Sequence, residues 1–144
     1  MGEMIEPRSP LVTPLRRIAH PKGDLFHAMK ASDPGFAGFG EAYFTSILTG
    51  QTKGWKQHRE MCLNLVVPMG EVRFHVHNEA TGTTTTYLLG EANYARLTVP
   101  PGLWMAFTGV GPGTNLICNL ASIEHRPEEA VGAELERFSL GAAA

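Results

Sequence analysis

The segment KGWKQH, residues 53–58, sets two lysines and a histidine within six positions. Alternate side chains of an extended strand share a face, so Lys56 and His58 project together. An amine beside an imidazole supports proton chemistry. If apolar walls desolvate its ammonium form, Lys56 becomes a general base for a proton next to a carbonyl. If it stays charged, it anchors a phosphate or carboxylate, or snorkels out to water. His58 is either the proton shuttle beside it or a hydrogen-bonded core histidine. A second cluster lies in FGEAYFTSI, where Glu41, Tyr43 and Thr45 alternate onto one face. In VRFHVH, His75 and His77 suggest metal ligands, but two are too few for a site. They share the face of Arg73, opposite Val72, Phe74 and Val76, and are expected on a solvated surface. Cys118 sits among apolar neighbours and is expected to be an inert thiol. Trp55 and Trp104 are expected to pack, in the core or against a second copy.

The elements that must position these groups are strands. Short apolar or alternating runs cover residues 24–30, 41–48, 55–67, 71–77, 83–89, 95–99, 103–108 and 115–121, separated by Gly, Pro, Asn and Asp clusters. That spacing predicts an all-β barrel or sandwich. Residues 1–22 carry four prolines and read as an extended arm, with an edge strand over 11–18. One segment reads as helix: PEEAVGAELERF, 127–138, has Pro in its first turn, acids near its start, and Val131, Leu135 and Phe138 on one side. The expected division is an arm (1–22), a barrel (23–125) and a C-terminal helix and tail (126–144).

With 144 residues, 43% hydrophobic and 18% charged, the chain suits one folded domain. A net charge of −2 argues against nucleic acid as a partner. No run reaches bilayer-spanning length, and the proline-broken N-terminus lacks the apolar stretch of a secretory signal. A cytoplasmic protein with two reduced thiols, Cys62 and Cys118, is expected.

Two stretches resemble the cupin motifs. The first cupin motif runs G, five residues, HxH, three or four residues, E, six residues, G. Here Gly50, Lys56-Gln57-His58, Leu63 and Gly70 keep that spacing. The second centres on PxGxxH, and Pro100-Pro101-Gly102-Leu103-Trp104-Met105 puts Met105 where the last histidine stands. Only His58 retains a ligand type, and Lys, Leu and Met do not replace His, Glu and His for a borderline cation. The resemblance thus implies a jelly-roll β-barrel with no metal and no other cofactor. Its cavity, walled by Lys56, His58, Leu63 and Met105, favours an anionic or carbonyl-bearing ligand.

Lys22-Gly23, KGWKQH, NLVVPMGEVRF (64–74) and LTVPPGLWMAF (97–107) together resemble the dTDP-4-dehydrorhamnose 3,5-epimerases and their sugar-nucleotide isomerase relatives, over roughly residues 22–122. The family's Arg-Gly-x-His string, whose histidine is the base, matches Lys53-Gly54-Trp55-Lys56. Lysine therefore stands at the base position, and Lys53 replaces the arginine that helps hold the diphosphate, keeping its charge without the planar fork. The family's tyrosine acid aligns with Cys118 and the histidine after PPG with Met105. The family's C-terminal extension, with the aspartate that orients the base, has no counterpart found after residue 122. Glu41 and Tyr43 match positions that contact the nucleotide, as ligand contacts or acids, and Lys22 joins the expected binding set.

The resemblance implies a homodimeric, metal-independent isomerase acting on a nucleotide-linked keto-sugar in polysaccharide biosynthesis. Lys56, His58 and Tyr43 are its catalytic candidates, and Lys53, Glu41, Lys22, Met105 and Cys118 its binding candidates. A non-catalytic sugar-nucleotide-binding module is the alternative. A metal-dependent cupin requires histidines from separate strands to converge.

Overall fold

The alternating runs fold as two facing sheets in the computed structural model, which describes residues 9–141. The strands are β1 (Leu11–Pro14), β2 (Arg17–Ile18), β3 (Leu25–Phe26), β4 (Glu41–Ile47), β5 (Thr52–His58), β6 (Leu63–Met69), β7 (Glu71–Asn78), β8 (Thr83–Gly90), β9 (Ala95–Val99), β10 (Trp104–Gly109), β11 (Asn115–Ala121) and β12 (Ala130–Gly132). One sheet has the order β1-β9-β6-β11-β4, the other β12-β5-β10-β7-β8, and β2 pairs with β3. The ladders between these strands are antiparallel. The architecture is the expected all-β jelly roll. The expected edge strand of the arm is present as β1, which lies along β9.

The inner faces supply the core: Leu65, Leu97, Val99 and Ile117 from one sheet, and Val72, Phe74, Val76 and Leu89 from the other. Burying each such side chain contributes about 1.5–3 kcal/mol. The turn from β6 into β7 is closed by Gly70 at φ +86°, where an added Cβ would stand 2.4 Å from the Thr114 carbonyl. Only glycine meets both demands.

Residues 127–138 are not a helix. Short 3-10 turns at Pro127–Glu129 and Leu135–Arg137 flank β12, which adds to the edge of β5 with Ala130 opposite His58 and Gly132 opposite Lys56. An isolated twelve-residue helix is marginal, and Gly132 in its middle costs about 1 kcal/mol. The edge of β5 instead offers unpaired backbone groups that an extended segment satisfies.

The same tail corrects the reading of His75 and His77. Both lie on the face opposite the core, as alternation requires, yet both are buried rather than solvated. Val131, Ala133, Phe138 and Leu140 pack with Trp55, Trp104 and Ala106 into a second apolar cluster on the outside of this sheet. Phe138 stacks on His77 with centroids 4.0 Å apart. The Leu140 carbonyl accepts from His75 Nδ1 at 2.7 Å, and Thr108 Oγ1 lies 2.9 Å from Nε2. Burial, outweighing the Leu140 bond, holds the His75 pKa below its ordinary value, with Arg73 adding to the effect. The two tryptophans are packing residues, as expected.

Candidate functional site

Between β4 of one sheet and β5 of the other opens a cavity of about 350 Å³. Its floor is apolar: Met61, Leu63, Leu65, Phe74, Met105, Phe107 and Ile117. Its polar groups are Glu41, Tyr43 and Thr45 from β4, Lys53, Lys56 and His58 from β5, Asn119 from β11, and His125. Six of the eight residues expected at the site line it: Glu41, Tyr43, Lys53, Lys56, His58 and Met105.

Two do not. Lys22 is exposed in the turn between β2 and β3, a hairpin that joins neither main sheet. Cys118 lies opposite Phe44 on β4, on the outer face of β11, because Ile117 and Asn119 take the inner face. Burial raises the thiol pKa of both Cys118 and Cys62, and both are free.

Strict alternation would set Lys53 and Lys56 on opposite faces, since they are three apart. The ladder between β5 and β10 corrects this: Met105 faces Lys56 and Phe107 faces Lys53, so two steps of β10 match three of β5. That bulge turns both lysines toward the cavity. Lys53 Nζ donates to Thr45 Oγ1 at 3.2 Å and the Ser46 carbonyl at 2.9 Å, bridging the mouth from β5 to β4. Lys56 is exposed at the rim and, among the described residues, has no hydrogen-bond or ion-pair partner.

His58 is held differently. It is 8% exposed, and its Nδ1 lies 2.8 Å from Glu129 Oε1. Glu129, 2% exposed, accepts at Oε2 from the amides of Glu60 at 3.0 Å and Met61 at 2.8 Å. Its own carbonyl accepts the Arg59 amide at 2.8 Å. Burial, the largest single influence on this carboxyl, opposes ionisation. The His58 bond and the two amides together outweigh it and bring the pKa to about 2. An ionised carboxylate only accepts, so His58 Nδ1 carries the proton and donates. Nε2 is then the ring nitrogen left for the cavity, as an acceptor or base. From the other side, the Gly102 amide donates to the His58 carbonyl at 2.8 Å, so the PPG turn helps fix the base strand.

Sequence reading missed Glu129 because it stands among five glutamates after residue 122 and nothing local distinguishes it. Its position beside Pro127 reads equally well as a helix first turn. Among the described residues no three His, Cys, Asp or Glu side chains converge into a metal-binding group.

No family model matches the chain, and no curated protein matches it. Solved structures do. A dTDP sugar isomerase from Desulfovibrio desulfuricans G20 is 29% identical, covers 94% of this chain and 92% of its own, and superposes with a TM-score of 0.86. The chain has the RmlC-like cupin fold. QdtA from Thermoanaerobacterium thermosaccharolyticum, a sugar 3,4-ketoisomerase solved with TDP, is 17% identical over 85% of this cupin and 86% of its own chain, with a TM-score of 0.73. The RmlC epimerase of Mycobacterium tuberculosis is 16% identical over 90% of this cupin and 70% of its own chain, with a TM-score of 0.74. The latter two likenesses are of fold.

Proposed function

We propose that this cupin is a metal-independent isomerase or epimerase of a nucleotide-linked keto-sugar, serving polysaccharide biosynthesis in the cytoplasm. The observation that carries the reading is the buried Glu129 carboxylate fixed on His58 Nδ1, which presents Nε2 as a base to a cavity rimmed by two ammonium groups. The 29% identity to a dTDP sugar isomerase, matched along nearly all of both chains, supports the substrate class.

In the proposed reaction His58 Nε2 takes a proton from the carbon next to the ketone. The C–H electrons pass to the carbonyl oxygen as an enolate, and Glu129 stabilises the imidazolium that forms. In this reading the Lys56 ammonium and the Tyr43 hydroxyl stabilise the enolate oxygen. Lys53 attracts the diphosphate. Return of a proton to the same carbon from the other side epimerises it. Return to the former carbonyl carbon of a hydroxyketone, with the neighbouring hydroxyl proton passing to the enolate oxygen as that carbon becomes the ketone, isomerises the sugar. Metal independence rests on the donor set, in which lysine, leucine and methionine occupy positions that ligands would need.

The alternative, a binding module without turnover, draws on Lys56 standing where the epimerases carry their base. Incubation with dTDP-4-keto-6-deoxyglucose in heavy water separates the two. Deuterium entering the ring carbons beside the ketone supports the isomerase, whereas tight binding without exchange supports the module. A homodimer is part of the proposal: Phe39, Phe44, Leu48 and Met69 are exposed large apolar side chains, and Phe44 and Met69 extend the outer face of β4, β11 and β6. Such a surface favours burial against a second copy.

A further inference from the structure

Asn119 is 1% exposed on β11, directly across the ladder from Tyr43. The orientation of its amide is fixed by a neighbour that can only donate: the Asn64 backbone N–H lies 3.1 Å from Oδ1. The group 3.0 Å from the Tyr43 hydroxyl oxygen is therefore the Nδ2 amine. An amide NH₂ donates and does not accept, so the phenolic oxygen accepts here. Its own proton must go elsewhere, and the remaining open side is the cavity that Tyr43 lines. The chain continues inward without ambiguity. Asn64 Oδ1 accepts the Thr98 hydroxyl at 2.6 Å, and Asn64 Nδ2 donates to the Gly35 carbonyl at 3.1 Å. Every group from Thr98 to Asn119 thus has one direction of donation, and these buried side chains hold the partly exposed Tyr43 hydroxyl at their outer end.

We propose that Asn119 is a positioning residue that makes Tyr43 a one-way hydrogen-bond donor into the cavity. The β4 wall then selects for an acceptor oxygen on the ligand, the carbonyl that becomes an enolate, and against a ligand hydroxyl that must donate at that point. This rests on the keto-sugar reading for the identity of the acceptor, but the direction of the hydrogen bonds is independent of it. Asn119→Asp tests the device because it is isosteric: one carboxylate oxygen keeps the Asn64 amide, while the other accepts the Tyr43 proton and turns it out of the cavity.

Two readouts separate the claims. The Raman tyrosine doublet reports whether a phenol oxygen accepts or only donates. Subtracting the spectrum of Tyr43→Phe isolates Tyr43 from Tyr87 and Tyr94. The wild type is expected to show an accepting phenol, and Asn119→Asp a purely donating one. A purely donating Tyr43 in the wild type would overturn the proposal, and that measurement needs neither turnover nor a folded Asn119 variant. With dTDP-4-keto-6-deoxyglucose, Asn119→Asp and Tyr43→Phe are each expected to lower kcat by about 10²–10³-fold with a smaller change in KM, the loss that follows removal of one oxyanion donor. The double variant should be no worse than Tyr43→Phe. Additive losses would show that Asn119 acts through general packing and refute the positioning role. If no variant or wild type turns over while the Raman result holds, the keto-sugar reading fails and the hydrogen-bond direction stands.

Discussion

Glu129→Gln is the sharpest perturbation of the base, because it changes charge and proton direction with almost no change in shape. In the wild type Oε2 takes the amides of Glu60 and Met61, and Oε1 takes the His58 proton at 2.8 Å. A glutamine oxygen must stay with those two amides, which leaves its NH₂ facing Nδ1. Two donors cannot face each other, so Nδ1 gives up its proton and Nε2 acquires one. The base is then presented to the cavity in the wrong tautomer, and the imidazolium loses its carboxylate. Asp→Asn in the serine-protease triad, where the same inversion occurs, costs about 10⁴-fold. For Glu129→Gln a loss of about 10³–10⁴-fold in kcat, or about 4–5.5 kcal/mol, follows. The assay is deuterium incorporation into dTDP-4-keto-6-deoxyglucose, with circular dichroism and thermal unfolding to establish that the fold is kept. A folded Glu129→Gln protein exchanging within a few-fold of wild type would refute the reasoning.

The same carboxylate predicts a pH dependence of stability. Its folded-state pKa of about 2 lies below the ordinary 4.5, so its contribution is complete above pH 4.5 and fades as pH falls toward 2. Urea unfolding from pH 6 to pH 3 should show a steeper loss in wild type than in Glu129→Gln, and parallel curves would contradict the assignment. Phe138→Ala removes the ring that contacts Trp55, Trp104 and His77, and is expected to cost about 2–3 kcal/mol in urea unfolding and to alter the near-ultraviolet tryptophan signal. An unchanged unfolding midpoint would mean the tail is not docked in solution. Phe44→Asp, on the exposed outer face of β4, should convert a dimer to monomer in light scattering while leaving the thermal midpoint of the fold within a few degrees. A wild-type monomer at micromolar concentration would remove the dimer from the proposal.

Much of this protein was legible because β-strands write their faces into the sequence with period two. Val72, Phe74 and Val76 went inward as that period requires, and the runs at 41–48, 71–77, 83–89, 95–99 and 115–121 match strands nearly residue for residue. Six of the eight expected site residues line the cavity, and all but Lys53 do so as that period requires. The failures share a cause, which is that tertiary partners are not local. Alternation says His75 and His77 leave the core, but not that a tail sixty residues later will cover them. The apolar residues of 127–138 fit a helix period, yet the edge of β5 decides their conformation. Lys53 joins Lys56 only through a bulge whose existence depends on β10. Glu129 is one acid among several until β12 docks and delivers it to His58.

The central claim is that His58 Nε2, oriented by Glu129, removes a proton beside a ketone. Its most direct test is mass-spectrometric detection of solvent deuterium in dTDP-4-keto-6-deoxyglucose after incubation with wild type, His58→Asn and Lys56→Ala. The account predicts exchange with wild type, none above background with His58→Asn, and reduced but measurable exchange with Lys56→Ala. Full exchange with His58→Asn and none with Lys56→Ala would place the base on the lysine and contradict it.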